Sequence, residues 1–369
     1  MRGSGPGRIR RIAVALRRGC RAGAARARVL RTAAASDAGR ALALGAGAVV
    51  LASAALSADG GGSPEGETAA RAAEGRGAVA AAAPAAGPRQ PAPCDDGERA
   101  AASLRPSGAD GTAVKRIKKR GKLVVGVDQN SYLWGYRDPA TGDIEGFDID
   151  LARAIARDLV DGDGPGKLTF RTIPTDQRIP ALRKRDVDMV VRTMTITCER
   201  SREVAFSTAY FEAGQQLLAP KKGARVKGFD SSMRGKRVCY AAGSTAEELM
   251  TSGRYQKLGA RPVVVANQLD CLVRMQLGEA DATVTDSALG AGQAAQDSSV
   301  ELIGEPVTEE PYGVAMNLRD EDLVRRVNRV LDTFRAGQWS RSYGKWLKDG
   351  LGGTKDGGKA KPPKPLYRD

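Results

Sequence analysis

The sequence predicts an α/β fold of two lobes, each built on a mixed, mainly parallel β-sheet flanked by helices. Apolar strand segments alternate with amphipathic helices from residue 121 to residue 347, and the links between them are short. The alternating elements form two sets that are separated near residues 213–223. An apolar run at residues 309–317 can return the chain to the first set. Two lobes joined by two crossing strands account for this order.

The first lobe is predicted from residues 113–215 and 312–350. LVVGV reads as its first buried strand, and the apolar residues of GFDIDLARAIARDLV recur at helical spacing, with Asp148 expected as the N-cap. The following elements are the strand KLTFRTI, the short helix QRIPALRKR and the strand DMVVRTMT. The last helices, DLVRRVNRVLDTFRAG and WSRSYGKWL, are amphipathic. They therefore need a core to pack on.

The second lobe is predicted from residues 216–311 and repeats the same alternation. Each of its strands is followed directly by a helix: GKRVCYA by STAEELM, PVVVA by QLDCLVRMQL, and ATVTD by SALGAGQAA. Strands that are connected through helices run parallel in one sheet.

The two ends of the chain have compositions unlike those of a folded domain. Residues 1–58 begin with an arginine-rich stretch and end in an uncharged, Ala-rich one, which is typical of an export signal or a membrane anchor. Residues 59–112 are rich in Gly, Ala and Pro and are predicted to be a disordered linker, and residues 351–369 a basic, flexible tail. We expect a protein outside the cytoplasm, either secreted or held by its N-terminal segment.

The formal net charge of +15 does not indicate a nucleic-acid-binding protein. Most of the excess lies in residues 1–40 and 353–369, outside the predicted lobes, and the predicted lobes carry no basic stripe with interleaved aromatic residues. The chain contains no histidine. This excludes Ser-His-Asp and Cys-His nucleophile systems and the common histidine-containing zinc sites, so we predict neither an enzyme nor a cofactor.

Four of the five cysteines belong to the part of the chain that is predicted to be exported. Cys94, Cys198, Cys239 and Cys271 allow three pairings in an oxidising compartment. We favour Cys239 with Cys271, because both follow or open elements of one compact region, and Cys94 with Cys198. Buried free thiols are the alternative.

Several motifs resemble the family-3 extracellular solute-binding proteins, the amino-acid receptors of ABC importers. They are GFDIDLARAIARDL, RIPALRKRDVDMVVRTMTITCERSREVAFSTAYF, GKRVCYAAGSTAEE, GEADATVTD and WSRSYGKWL, and the resemblance runs from about residue 121 to residue 347. The resemblance implies a type II periplasmic-binding-protein-like Venus-flytrap fold whose lobes close on a small ligand. It also implies a membrane permease and an ATPase as partners.

The resemblance implies binding roles for residues near DMVVRTMTITCER. Arg200 stands where the family keeps the arginine that pairs with the ligand's α-carboxylate, and an arginine suits this role because its planar fork donates two parallel hydrogen bonds. Thr193 and Thr195 stand where the family holds the ligand's carboxylate and ammonium. Threonine is also simply a good strand residue. Asp286, which ends a strand, matches the residue that pairs with the α-ammonium.

Other positions of the motif concern closure and selectivity. Ser244 and Thr245 match the turn that closes on the ligand carboxylate, although helix capping alone would explain a Ser or Thr there. In the glutamate/aspartate branch, an arginine in a Gln-Arg-Ile-Pro stretch reaches the ligand's distal carboxylate, and Arg178 occupies that place. Arg192 is a second candidate cation, but strand alternation can turn it away from the cleft.

The residues after the first strand are expected to wall the pocket. Asp128, Gln129, Tyr132 and Trp134 are the candidates, with a core role as the alternative for the aromatic residues. The stretch VGVDQNSYLWGYRDPATG resembles a subset of actinobacterial glutamate- or glutamine-type receptors, some of which are thought to serve as sensors. We therefore expect an acidic amino-acid ligand, glutamate ahead of aspartate, and import through an ABC permease. The alternative is a sensor that reports to a membrane signalling partner.

Overall fold

The computed structural model describes residues 101–351 and 360–368. The helices in chain order are α1 (Thr112–Arg120), α2 (Phe147–Val160), α3 (Arg178–Arg183), α4 (Cys198–Ser201), α5 (Thr245–Thr251), α6 (Gly253–Gln256), α7 (Gln268–Gln276), α8 (Ser287–Gln296), α9 (Glu321–Thr333), α10 (Trp339–Trp346) and α11 (Lys348–Leu351). Single turns of 3-10 helix lie at Thr175–Gln177 and Ser231–Met233, and a π-helical turn, Phe334–Gln338, joins α9 to α10.

The strands form one sheet in each lobe and two small sheets elsewhere. In chain order they are β1 (Leu123–Val127), β2 (Asn130–Ser131), β3 (Gly135–Arg137), β4 (Ile144–Glu145), β5 (Leu168–Thr172), β6 (Met189–Val190), β7 (Val204–Phe206), β8 (Phe211–Ala213), β9 (Gln215–Pro220), β10 (Arg237–Ala241), β11 (Arg261–Val265), β12 (Ala282–Asp286), β13 (Val300–Ile303), β14 (Glu310–Tyr312) and β15 (Ala315–Asn317).

The two large sheets have the mixed, mainly parallel character that the sequence predicts. The first-lobe sheet has the order β5-β1-β6-β15-β7, with β1 parallel to β5 and β6 and with β15 antiparallel to both its neighbours. The second-lobe sheet has the order β11-β10-β12-β9-β13, with β10 parallel to β11 and β12. Helix-linked strands are thus parallel, and the returning segments are antiparallel.

Two extended segments connect the lobes, also as predicted. β8 leaves the first lobe, β14 returns to it, and the two pair antiparallel with Phe211 opposite Tyr312. Aromatic side chains pack around this crossing, where Trp134 contacts both rings edge-on. The fold is therefore the predicted two-lobed α/β architecture.

The start of α2 differs from the prediction that Asp148 is its N-cap. Gly146 occupies the N-cap position with a φ of +130°, and a Cβ at this position would lie 2.3 Å from the Trp134 carbonyl oxygen. Asp148 lies in the first turn instead, buried, and accepts hydrogen bonds from the Tyr210 hydroxyl at 2.8 Å and the Thr193 N–H at 2.8 Å. Burial raises the pKa of Asp148 from its usual 3.8 to about 7.

The contacts of two segments that flank the lobes revise parts of the predicted linker and tail. Residues 101–111 and 360–368 lie against the first lobe and against each other. The Ser103 N–H donates to the Leu366 carbonyl and the Arg368 N–H to the Ser103 carbonyl, both at 3.0 Å, and the Asn328 side chain donates to the Leu104 carbonyl. These segments satisfy their backbone groups on the lobe, which composition alone does not reveal. The predicted export segment lies outside the described residues, and no helix within them is long and apolar enough to cross a bilayer.

Candidate functional site

A polar cavity of about 30 Å³ lies between the two lobes. Its wall comes from both of them: Ser131, Thr175, Arg178, Arg192, Thr193, Thr195 and Arg200 from the first, and Ala241, Ser244, Thr245, Ala246, Gln268, Thr285, Asp286 and Leu289 from the second. Most of the predicted site residues therefore meet at one place.

Arg200 reaches across the cavity from the first lobe. Thr197 caps the short helix α4 by accepting a hydrogen bond from the Arg200 N–H, which fixes the start of this side chain. The guanidinium donates to the Thr195 carbonyl at 3.1 Å and, across the cleft, to the Gly243 carbonyl at 3.2 Å; it also pairs with Glu248 Oε1 at 3.1 Å. Arg200 is thus a buried cation at the lobe interface.

Arg178 lies beside Arg200 but has a different set of partners. Its Nε donates to the Thr175 carbonyl at 2.8 Å, and its Nη2 donates to the Gly243 carbonyl at 3.0 Å. In the described part of the chain, no carboxylate forms an ion pair with it. Burial, together with the nearby charges of Arg200 and Arg192, lowers the pKa of Arg178 well below its usual value. This side chain is therefore a buried cation without an ion pair among the described residues, although the nearby carboxyls of Asp286 and Glu248 partly offset the fall of its pKa.

The segment after β6 does not continue as a regular strand. β6 ends at Val190, and Thr193 has a left-handed φ of +40°. The Thr193 N–H donates to Asp148, and Thr195 forms an isolated bridge with Tyr312. Strand alternation consequently does not set the direction of Arg192, which lines the cavity rather than pointing away from it.

Arg192 is held by an acidic residue that follows β1. Its Nη2 lies 3.1 Å from Asp128 Oδ2, and the exposed fractions of the two side chains are only 4% and 7%. Asp128 also accepts hydrogen bonds from the N–H groups of Gln129 and Asn130 and from the Ser131 hydroxyl. Asp128 therefore supports the cavity wall from behind and does not line the cavity itself.

The second lobe contributes the turn before α5. The Ser244 hydroxyl accepts from the Glu247 N–H at 3.2 Å and donates to the Ala241 carbonyl at 2.6 Å, so it caps the helix. The Thr245 hydroxyl donates to Glu310 Oε2 at 2.9 Å and accepts from the Gln215 side-chain amide at 2.9 Å. Both residues line the cavity, and both hydroxyls already have protein partners.

Asp286 lies at the end of β12, buried at the floor of the cavity. It accepts hydrogen bonds from the Tyr312 hydroxyl at 2.6 Å and from the Gln215 side-chain amide. Burial and the nearby Glu310 raise the pKa of Asp286 above its usual value. A cation bound in the cavity would favour the ionised form of this carboxyl.

Besides Asp128, the other three predicted wall residues do not line the cavity either. Trp134 is 1% exposed, and its indole N–H donates to the Ala288 carbonyl within the aromatic core, so the alternative core role describes it. Gln129 accepts hydrogen bonds from Arg137. Tyr132 packs edge-on against Tyr136 at 5.0 Å between ring centroids.

The sequence interpretation missed several lining residues, notably Thr175, Gln268 and Thr285. Thr285 lies one residue before Asp286 in β12. Gln268 is the first residue of α7, directly after its N-cap Asn267, which forms a capping box with Asp270. This capping box is the sequence signal that could have placed Gln268 at the start of a helix. Gln268 belongs to no motif that was interpreted as binding, and Thr285 belongs to GEADATVTD, in which only Asp286 was interpreted as binding.

The predicted disulfide between Cys239 and Cys271 is present and links β10 to α7. Cys94, the expected partner of Cys198, lies outside the described residues, so that pairing stays a prediction. Among the residues the structure covers, no cluster of three or more His, Cys, Asp or Glu side chains could hold a metal ion.

Comparisons with known proteins agree with this architecture. The family model of bacterial extracellular solute-binding proteins, family 3, matches residues 123–349. The chain is 38% identical over 234 residues to the ABC transporter glutamine-binding protein GlnH of Bacillus subtilis, covering 63% of this chain and 84% of that protein. It is 28% identical over 248 residues to the glutamate/aspartate import solute-binding protein of Salmonella typhimurium, with coverages of 65% and 81%. A solved ancestral arginine-binding protein bound to glutamine superposes with a TM-score of 0.56 at 33% identity, covering 62% of this chain and 98% of that one.

Proposed function

Because the chain belongs to the bacterial extracellular solute-binding proteins of family 3, we propose that it binds an acidic amino acid outside the cytoplasm and delivers it to an ABC importer. Glutamate is the first candidate and aspartate the second. The ligand is bound when the lobes close over it, and the closed form is what the membrane permease recognises. We propose no catalytic role, since the cleft groups serve to bind charge.

The observation that carries this proposal is the charge of the cavity wall. Arg178, Arg192 and Arg200 line the cavity, whereas Asp286 is the single carboxylate among its lining residues in the described chain. A buried cation without a counter-ion is costly, and an anionic ligand removes that cost. A dicarboxylic amino acid carries a net charge of −1 and complements this wall better than a neutral one does.

The groups of the ligand can be assigned to the wall. We propose that Arg200 binds the α-carboxylate, with Thr193 and Thr195 beside it, and that Asp286 pairs with the α-ammonium. Arg178 binds the side-chain carboxylate. Among the described residues, Arg178 has only backbone carbonyls as hydrogen-bond partners, so it can bind a carboxylate without breaking an ion pair.

Calorimetric titration tests the assignment. We expect the full chain, freed of bound ligand, to bind glutamate and aspartate more tightly than glutamine and asparagine. Arg200→Ala should abolish binding of all four, because every one carries an α-carboxylate. Arg178→Ala should weaken the acidic ligands selectively. Equal loss of all ligands in both variants would contradict the division of roles.

Glutamine is the alternative to these acidic ligands. It is favoured by the 38% identity to a protein named as glutamine-binding. The same titration distinguishes the two, because a preference for glutamine over glutamate would contradict the assignment of Arg178.

A further inference from the structure

Two buried side chains in the cavity wall carry donors that make no hydrogen bond within the described chain. They are Arg192 of the first lobe, through Nε and Nη2, and Gln268 of the second, through Nε2; Nη2 of Arg192 has an ion pair with Asp128. Arg192 is 4% exposed and Gln268 6% exposed. Buried donors are almost always satisfied in native proteins, so two that line one cavity indicate a missing acceptor.

The position of Arg192 is fixed before any ligand arrives. Asp128 contacts one end of the guanidinium, and three hydrogen bonds from its own loop hold Asp128 in place. The unpartnered Nε therefore belongs to a guanidinium that is already oriented. The backbone of Gln268 is held as well, because its carbonyl accepts a hydrogen bond from the Gln293 side chain at 3.0 Å.

We propose that Arg192 and Gln268 form a subsite for the side-chain carboxylate of the ligand, and that this subsite sets the preference for acidic over amide side chains. The inference rests on the proposed function and deepens it. A carboxylate offers acceptors alone, which matches two free donors, whereas a ligand amide would turn an NH₂ group toward one of them.

The subsite also couples recognition to lobe closure. Arg192 belongs to the first lobe and Gln268 to the second, so a carboxylate that bridges them bonds to both lobes only when the cleft is closed. Arg178, which we propose to contact the same carboxylate, has its own backbone partners. Substitution of each arginine therefore tests a separate contribution.

The experiment is calorimetric titration of the full chain and its variants with glutamate and glutamine. We expect Arg192→Gln to weaken glutamate binding by about 10- to 100-fold, the effect of losing a charge-assisted hydrogen bond, and glutamine binding by less than about threefold. Gln268→Leu should lower the glutamate-to-glutamine ratio in the same direction. It keeps the subsite testable if Arg192→Gln fails to fold.

Arg341→Gln is the matched control for the loss of a positive charge. Arg341 is exposed on α10 of the first lobe, outside the cavity, and has no ion pair among the described residues. We expect this variant to bind both ligands as the wild type does. A similar loss of glutamate binding in Arg341→Gln would attribute the effect to overall charge and overturn the subsite.

The outcomes separate this inference from the function on which it rests. If the wild type prefers glutamate and both cavity variants keep its glutamate-to-glutamine ratio, the subsite is overturned and the proposed function stands. If the wild type prefers glutamine or binds no acidic amino acid, the proposed function fails and the subsite fails with it.

Discussion

Gly243 allows the two lobes to approach each other, and its replacement by alanine should impair ligand binding. Its carbonyl accepts hydrogen bonds across the cleft from both Arg178 and Arg200. Its φ is +68°, and a Cβ at this position would lie 2.8 Å from the Cα of Asp176 and 3.1 Å from its Cβ. The nearest of these atoms belongs to the backbone of the opposite lobe, so a rotamer change cannot relieve the overlap.

The expected loss of affinity follows from the contacts that Gly243 makes only when the lobes are closed. The left-handed φ penalty, about 1–2 kcal/mol, applies to the open and closed states alike and therefore lowers stability but not affinity. The overlap with Asp176 and the loss of two hydrogen bonds from charged donors, each about 1.5–3 kcal/mol, apply to the closed state alone. Allowing for partial relaxation, we expect Gly243→Ala to raise the Kd by about 100-fold, which is about 3 kcal/mol.

Gly235→Ala is the matched control, measured by the same calorimetric titration. Gly235 also lies in the second lobe and has a φ of +69°, but apart from its chain neighbours no atom of the described residues lies within 4 Å of the point that an alanine Cβ would occupy there. Both variants should lose similar stability in denaturant unfolding, and only Gly243→Ala should lose affinity. A Kd for Gly243→Ala within about threefold of the wild type, or an equal loss in Gly235→Ala, would refute the steric reasoning.

Three further predictions concern stability and pH. Removal of the Cys239–Cys271 disulfide, whose cysteines are 32 residues apart, should lower the free energy of unfolding by about 4 kcal/mol in urea titrations. Each single cysteine-to-alanine variant should lose nearly as much stability as the double variant. Burial raises the pKa of Asp148 to about 7, so its contribution to stability is fully present below about pH 4 and is lost as the pH rises to about 7. This contribution is worth up to about 4 kcal/mol. Asp148→Asn should remove the pH dependence from the free energy of unfolding measured across that range. The raised pKa of Asp286 should make amino-acid binding weaken as the pH falls below neutrality, and a titration of Asp286→Asn should show a flatter pH profile.

Local sequence patterns were sufficient to predict the features that depend on the order of elements along the chain. The alternation of strands and helices predicted both lobes, the crossing segments and the parallel core of each sheet. The pairing of Cys239 with Cys271 was predicted because both belong to one compact region. These features depend on periodicity and on short-range connections, which the sequence shows directly.

Sequence patterns were insufficient to predict the direction of a side chain where a strand ends earlier than the pattern indicates. The alternative that strand alternation turns Arg192 away from the cleft assumes a strand, but β6 ends at Val190 and the left-handed Thr193 changes the course of the chain. Trp134 follows a strand as a pocket residue would, yet its indole finds a carbonyl partner in the core. The position of Gln268 in the wall required the packing of α7 beside β10.

The sequence by itself determined the fold, the order of the lobes, the family to which the motifs belong and the positions of most charged groups near the cleft. Only the tertiary structure decided which of those groups face the cavity, and that Arg178 and Arg200 share one carbonyl of the opposite lobe. The physical reason is that the cavity is assembled from segments far apart in the chain. Its hydrogen bonds and buried charges therefore exist only when the lobes pack together.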